Sequence, residues 1–206
     1  MTQWAERTDR GRERGPVAVG RAWLDVLTRP QRFFARKIAP GDQAPGLTFA
    51  AIVVFVAEAV RIATVADGYP VVADQPAASA ALWLLAIVVL VVPAGIHLTA
   101  ALQTVVLVAV TDDRAGVSET VQVICYSLAP LVALGVPNAF VQALVVCWSG
   151  SLLIVGTAVV HKLPVPKAIA AVSLPGVLLL GYGFGGNAAV WTVAIQLVEG
   201  VETILG

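Results

Sequence analysis

The chain has 206 residues, 58% of them hydrophobic and 13% charged, with thirteen basic and thirteen acidic side chains and a formal net charge of zero. A soluble domain of this size is about half apolar and about a quarter charged, so the composition excludes an ordinary water-soluble globule, and the mean hydropathy of +0.86 agrees. Zero net charge gives no sign of a nucleic-acid partner, and the two cysteines, Cys125 and Cys147, sit inside apolar runs and read as buried free thiols rather than a disulfide framework.

Residues 1–16 are polar, rich in Arg and Glu, and end in Gly15-Pro16, so a disordered basic tail is expected. No apolar run follows a basic stretch within residues 1–29, so no cleavable leader is expected and the first span should stay attached. Residues 17–45 interleave Val19, Trp23, Val26, Leu27, Phe33, Phe34 and Ile38 with Arg21, Arg29, Arg32, Arg36 and Lys37. That mix suits an amphipathic segment in the headgroup layer, divided into two short helices by Pro30. Residues 1–45 carry nine bases and five acids, a local excess that favours anionic headgroups or simply sets orientation.

Five apolar stretches follow, at about 47–66, 78–110, 118–134, 138–160 and 167–186. About twenty helical residues cross the hydrocarbon core, so the second stretch reads as one long helix and the third as a short one. Pro93, Pro130 and Pro175 fall inside three of them and predict kinks whose freed carbonyls need partners from neighbouring helices. Nine basic residues precede the first stretch, Arg114 follows the second, and Lys162 and Lys167 lie between the fourth and fifth; the alternate connections carry none. Basic residues beside a span resist translocation, which predicts a cell-membrane protein with a cytoplasmic N-terminus and an extracytoplasmic C-terminus. Residues 187–206 place Thr192, Gln196, Glu199 and Thr203 at helical offsets of four, three and four. An amphipathic helix on the outer surface is expected there, because a sixth span would carry Glu199 and Glu202 into lipid. The fold class is therefore an all-α integral membrane protein: a five-helix transmembrane bundle with an N-terminal interfacial amphipathic helix and a C-terminal amphipathic helix.

Candidate chemistry lies with the intramembrane polar groups. Glu58 and Arg61 sit at i, i+3 on one helix face, either as an ion or proton site or as a self-neutralised packing pair. His97 lies one turn from Pro93, either as a proton relay or as a partner for backbone groups freed by the kink. His161 sits at the cytosolic end of the fourth stretch with no ligand set at metal spacing around it. The chain lacks HExxH, CxxC, a nucleophile elbow and a phosphate-cradling loop, so no catalytic residue, metal or cofactor is expected. Gly181 and Gly185 form a close-packing GxxxG pattern among further glycines.

Several motifs, taken in order, resemble the Yip1 domain family of small five-span membrane proteins. They are Leu27-Thr28-Arg29-Pro30-Gln31-Arg32-Phe33-Phe34, Ile96-His97-Leu98, Tyr126-Ser127-Leu128-Ala129-Pro130, and Trp148, Gly156 and His161 followed by Pro166-Lys167-Ala168. The resemblance covers about residues 22–186, with Gln103-Thr104 standing where the family often has glycines. It implies a five-span layout. Eukaryotic relatives are associated with Rab-type GTPases and vesicle traffic, a role not carried over here. Ten Arg against three Lys, with heavy use of Ala and Val, points to a prokaryotic member.

The expected function is a non-enzymatic multi-pass membrane protein that organises lipid or partner proteins, with anionic headgroups at the basic N-terminal segment. The alternative is a small transporter or channel using Glu58, Arg61 and His97, which requires those groups to converge on one cavity.

Overall fold

A computed structural model describes residues 15–65 and 68–205, and every regular element among them is helical. The expected disordered tail lies, over residues 1–14, outside the described residues, as does Asp67 at the expected end of the first span. The first two helices, α1 (Pro16–Thr28) and α2 (Pro30–Lys37), meet at Arg29. Pro30 has no N–H with which to continue α1, and its fixed φ suits the first turn of α2. The third, α3 (Ala44–Thr64), is the first long apolar helix.

Next come α4 (Pro76–Ala86), a π turn (Ile87–Val91) and α5 (Val92–Val110), which together form one rod of 35 residues. At 1.5 Å per residue this rod is about 52 Å long, well beyond a hydrocarbon core of about 30 Å. The Val92 N–H reaches back five residues to the Ile87 carbonyl, and this widened turn sits just before Pro93. A second π turn (Val177–Gly183) follows Pro175 near the end of α8 (Val165–Gly176). In both places the helix continues past the proline. Pro130 acts differently. There α6 (Val117–Ser127) gives way to a 3-10 turn (Ala129–Ala133), so the proline ends the α geometry instead of bending it. Asn138 caps α7 (Ala139–Val160) by accepting the Val141 N–H at 3.1 Å.

Among the described residues, four helices are long and apolar enough to cross a membrane: Ala44–Thr64, Pro76–Val110, Ala139–Val160 and Val165–Gly183. The expected third span, at about 118–134, corresponds to a shorter apolar helix, Val117–Ala133, of 17 residues. Its place explains its length. Thr120, Val121, Gln122, Val123, Ile124, Cys125, Tyr126, Ser127, Leu128, Ala129 and Leu131 are all buried. Such a helix, covered on every side by α1, α3, α5 and α7, is the hub of the bundle. The outer helices expose apolar side chains such as Leu82, Val89, Leu98, Val105 and Phe140. That pattern suits lipid as the surrounding solvent.

Close backbone approach fixes the hub. A Cβ on Gly135, just past the 3-10 turn, would lie 2.1 Å from the Ala57 carbonyl oxygen of α3. A Cβ on Gly46 would touch Cys125 Cβ at 3.3 Å. Glycine at both positions lets α3 and the α6 segment lie side by side.

One expectation is corrected. Cys147 is exposed rather than buried, while Cys125 is buried; both thiols are free. The last helix, α9 (Gly186–Leu205), follows the π turn that ends α8. It packs chiefly on α7, and a Cβ on its first residue, Gly186, would meet Val146 Cγ1 at 2.5 Å. Val146 is seven residues inside α7, so α9 starts about 10 Å along that helix from its N-terminal end.

Candidate functional site

The N-terminal hairpin is held to the bundle by three separate anchors. The Trp23 indole N–H donates to the Ala129 carbonyl at 2.9 Å, on the stretch that Pro130 removes from α-helical pairing. Phe33 and Phe34 are adjacent, so their side chains leave α2 about 100° apart and enter different gaps. Phe33 stacks edge-on against Tyr126 with ring centres 4.8 Å apart, and Phe49 of α3 meets the same tyrosine at 5.1 Å. Phe34 fills the space over Gly156 of α7 and Val123 of α6. Finally, the buried Gln122 amide grips the backbone of Ala39 from both sides, accepting its N–H at 3.2 Å and donating to its carbonyl at 2.7 Å.

With the apolar face of the hairpin committed, its cations gather on the other side. Arg29, Arg32, Arg36 and Lys37, with Asp25 and the edge of Phe33, line a pocket of about 340 Å³. Four cations against one carboxylate make it electropositive, and guanidinium groups are suited to bidentate hydrogen bonding with phosphate oxygens.

The sequence-derived candidates lie elsewhere. Glu58 and Arg61 do pair: Glu58 Oε2 accepts from Arg61 Nη2 at 2.5 Å and Nε at 3.1 Å. The same oxygen accepts from Trp83 Nε1 at 3.3 Å, and Arg61 Nη1 donates to the Gly68 carbonyl. Glu58 is 19% exposed and Arg61 32%. The cluster ties α3 to α4 and to the connection between them. His97 is exposed, with Nδ1 2.7 Å from the Pro93 carbonyl and Nε2 3.2 Å from Gln43 Oε1. Gln43 precedes α3, whereas Glu58 lies fifteen residues further on, about 22 Å along the helix. His97 and the Glu58–Arg61 pair therefore do not share a cavity.

A polar layer not assembled from the sequence is buried where α5, α6 and α7 meet. Gln103 donates to the Thr157 hydroxyl at 2.9 Å. The Thr120 hydroxyl lies 3.3 Å from His161 Nε2 and gives its own proton to the Gly116 carbonyl at 3.2 Å. His161 Nδ1 and Gln103 Oε1 have no protein partner. Burial, assisted by the Arg114 charge, pushes the His161 pKa down from 6.5 to about 4. The signal for this layer was one of position. Gln103, Thr120, Gln122 and Thr157 are polar residues within apolar helices, but only the packing shows which of them face one another. Among the described residues no group of three or more His, Cys, Asp or Glu side chains could hold a metal ion.

Neither a curated protein nor a solved structure matches this chain. The Yip1 domain model matches residues 24–186, most of the chain, from within α1 to the first residue of α9. Together with the long apolar helices, that match makes this a multi-pass membrane protein belonging to the Yip1 family.

Proposed function

We propose that the protein is a non-enzymatic organiser of membrane lipid, with the pocket on the N-terminal hairpin holding anionic headgroups at the cytoplasmic face of the cell membrane. The observation that carries this reading is the placement of Arg29, Arg32, Arg36 and Lys37 around one pocket, on a hairpin whose aromatic side is locked into the bundle. Cations on a free tail would attract lipid without positioning it; cations on an anchored hairpin hold a phosphate group at a fixed place relative to the spans. The reading takes the central α6 segment as a fifth crossing, with the N-terminus cytoplasmic by the distribution of basic residues.

The test is lipid retention by the purified protein, read by native mass spectrometry after exchange into vesicles containing equal amounts of phosphatidylglycerol and phosphatidylcholine. Wild type should retain the anionic lipid preferentially, and the R29E/R32E/R36E variant should lose that preference while keeping its melting temperature. Equal retention of both lipids by wild type would reject the reading, as would turnover of a substrate or solute flux in the same vesicles.

A further inference from the structure

Helix α9 begins at the last residue of the matched family domain and has a role of its own. It shares a long open groove with α7 and α8. The groove is lined on α9 by Gly186, Val190, Trp191 and Ala194, and has a volume of about 530 Å³. On α7 it extends from Val146 to Ile154, and on the α8 side it reaches Ile169. Ile154 is fifteen residues from Ala139, or about 22 Å below the outer end of α7. A helix lying on the outer surface would border only the first turn of α7. The first half of α9 therefore descends beside α7 into the depth of the bundle.

The lengths then settle where the acids go. From Gly186 beside Val146, thirteen residues of α9 reach Glu199, and thirteen residues of α7 reach Val159, one before that helix ends. Glu199 comes out level with the far end of α7, and Glu202 lies one turn beyond it. The objection to a sixth span, that two carboxylates would enter lipid, assumed a start at the outer surface. With the start about 10 Å lower, the segment at membrane depth is 186–198, which carries no charge. Its outward side chains, among them Ile195, Leu197 and Val198, are exposed and apolar.

We infer that α9 is a sixth crossing that returns the chain to the side of its N-terminus, with lipid acyl chains filling the groove it forms against α7 and α8. Hydrocarbon is the occupant because the groove lies midway along two helices long enough to span the bilayer, and its lining is apolar except for Ser173 and Asn187. The inference does not depend on the headgroup reading above.

The test uses single cysteines in a C125A/C147A background: Thr2→Cys, Gln75→Cys and Thr203→Cys, each labelled with a membrane-impermeant maleimide in sealed vesicles of known orientation. Thr203→Cys should label from the same side as Thr2→Cys and opposite to Gln75→Cys. Labelling of Thr203→Cys from the Gln75 side, or from neither side, overturns the inference. A second measurement reads the groove itself. Lipids brominated mid-chain should quench wild-type tryptophan fluorescence more than they quench the Trp191→Phe variant. If that difference vanishes, because a second copy of the chain or nothing fills the groove, the acyl-chain assignment is overturned.

Discussion

Gly156 of α7 receives the Phe34 ring of α2 at a point where a Cβ would lie 3.0 Å from Phe34 Cε1 and Cζ and 2.8 Å from Val123 Cγ1. The absence of a side chain on one helix makes room for the ring of another, and that ring helps to hold the basic hairpin in place. Gly156→Ala should cost about 1–3 kcal/mol through overpacking and loosen α2. The expected readout is a lower melting temperature in detergent and faster tryptic cleavage at Arg32 and Arg36. Combining it with Phe34→Leu should recover part of the loss, since the two changes act on one contact.

Gly135→Ala should be the most damaging alanine substitution at any helix contact. The new Cβ would sit 2.1 Å from the Ala57 carbonyl oxygen and 2.9 Å from the Arg61 nitrogen, both backbone atoms that cannot rotate away. Gly95→Ala on α5 is the matched control, because nothing lies within 4 Å of its Cβ position. The control should melt at or slightly above wild type, given the better helix propensity of alanine. Gly135→Ala should melt well below both.

Trp23→Phe keeps an aromatic ring but removes the indole N–H that satisfies the Ala129 carbonyl. The Ala129 carbonyl also belongs to the 3-10 turn, so the loss is that of one hydrogen bond, about 1 kcal/mol. The variant should lose stability by that order, and amide exchange in α1 should speed up more than exchange in α7.

Glu58 and Arg61 are coupled, so their substitutions should not add. Either Glu58→Ala or Arg61→Ala leaves the other charge unpaired near the C-terminal end of α3, and the double variant should be less destabilised than the sum of the two. Partial exposure of both side chains keeps the coupling modest, at about 1 kcal/mol. Melting temperatures of the four proteins in one detergent give the cycle.

The buried imidazole predicts acid sensitivity. His161 has its pKa held near 4 in the fold, against 6.5 for the free side chain. The unfolded chain therefore binds the proton more readily between those values, and stability rises with pH. The contribution of neutral His161 is complete above about pH 6.5 and is lost as pH falls toward 4, to a limit of about 3 kcal/mol. A melting series from pH 7.5 to 4.5 should show this decline, and His161→Asn, which carries no titrating group, should flatten it.

The long helices were readable because hydropathy is a property of contiguous residues: each apolar run is followed by Gly, Pro or charged residues that stop it. The Glu58–Arg61 pair was readable for the same reason, since i, i+3 neighbours meet on any helix. The pairing of His97 with Gln43, 54 residues away, was not. Nor was the grip of Gln122 on Ala39 across 83 residues, because a side chain inside a helix gives no sign of which distant backbone it will face.

The direction of α9 shows the division most plainly. From residues alone, Glu199 and Glu202 excluded a crossing, because their depth was counted from the chain's own order. Gly186 lies against Val146, seven residues into α7, and the inferred crossing counts the depth of the carboxylates from there. Composition by itself determined that this is a membrane protein with several long apolar helices, and the order of its charges set an expected sidedness. Only the tertiary structure decided which helix is enclosed, which cations share a pocket and how deep each side chain sits. Those depend on offsets between helices, and such offsets are set by contacts such as a glycine meeting a ring, not by anything periodic along one helix.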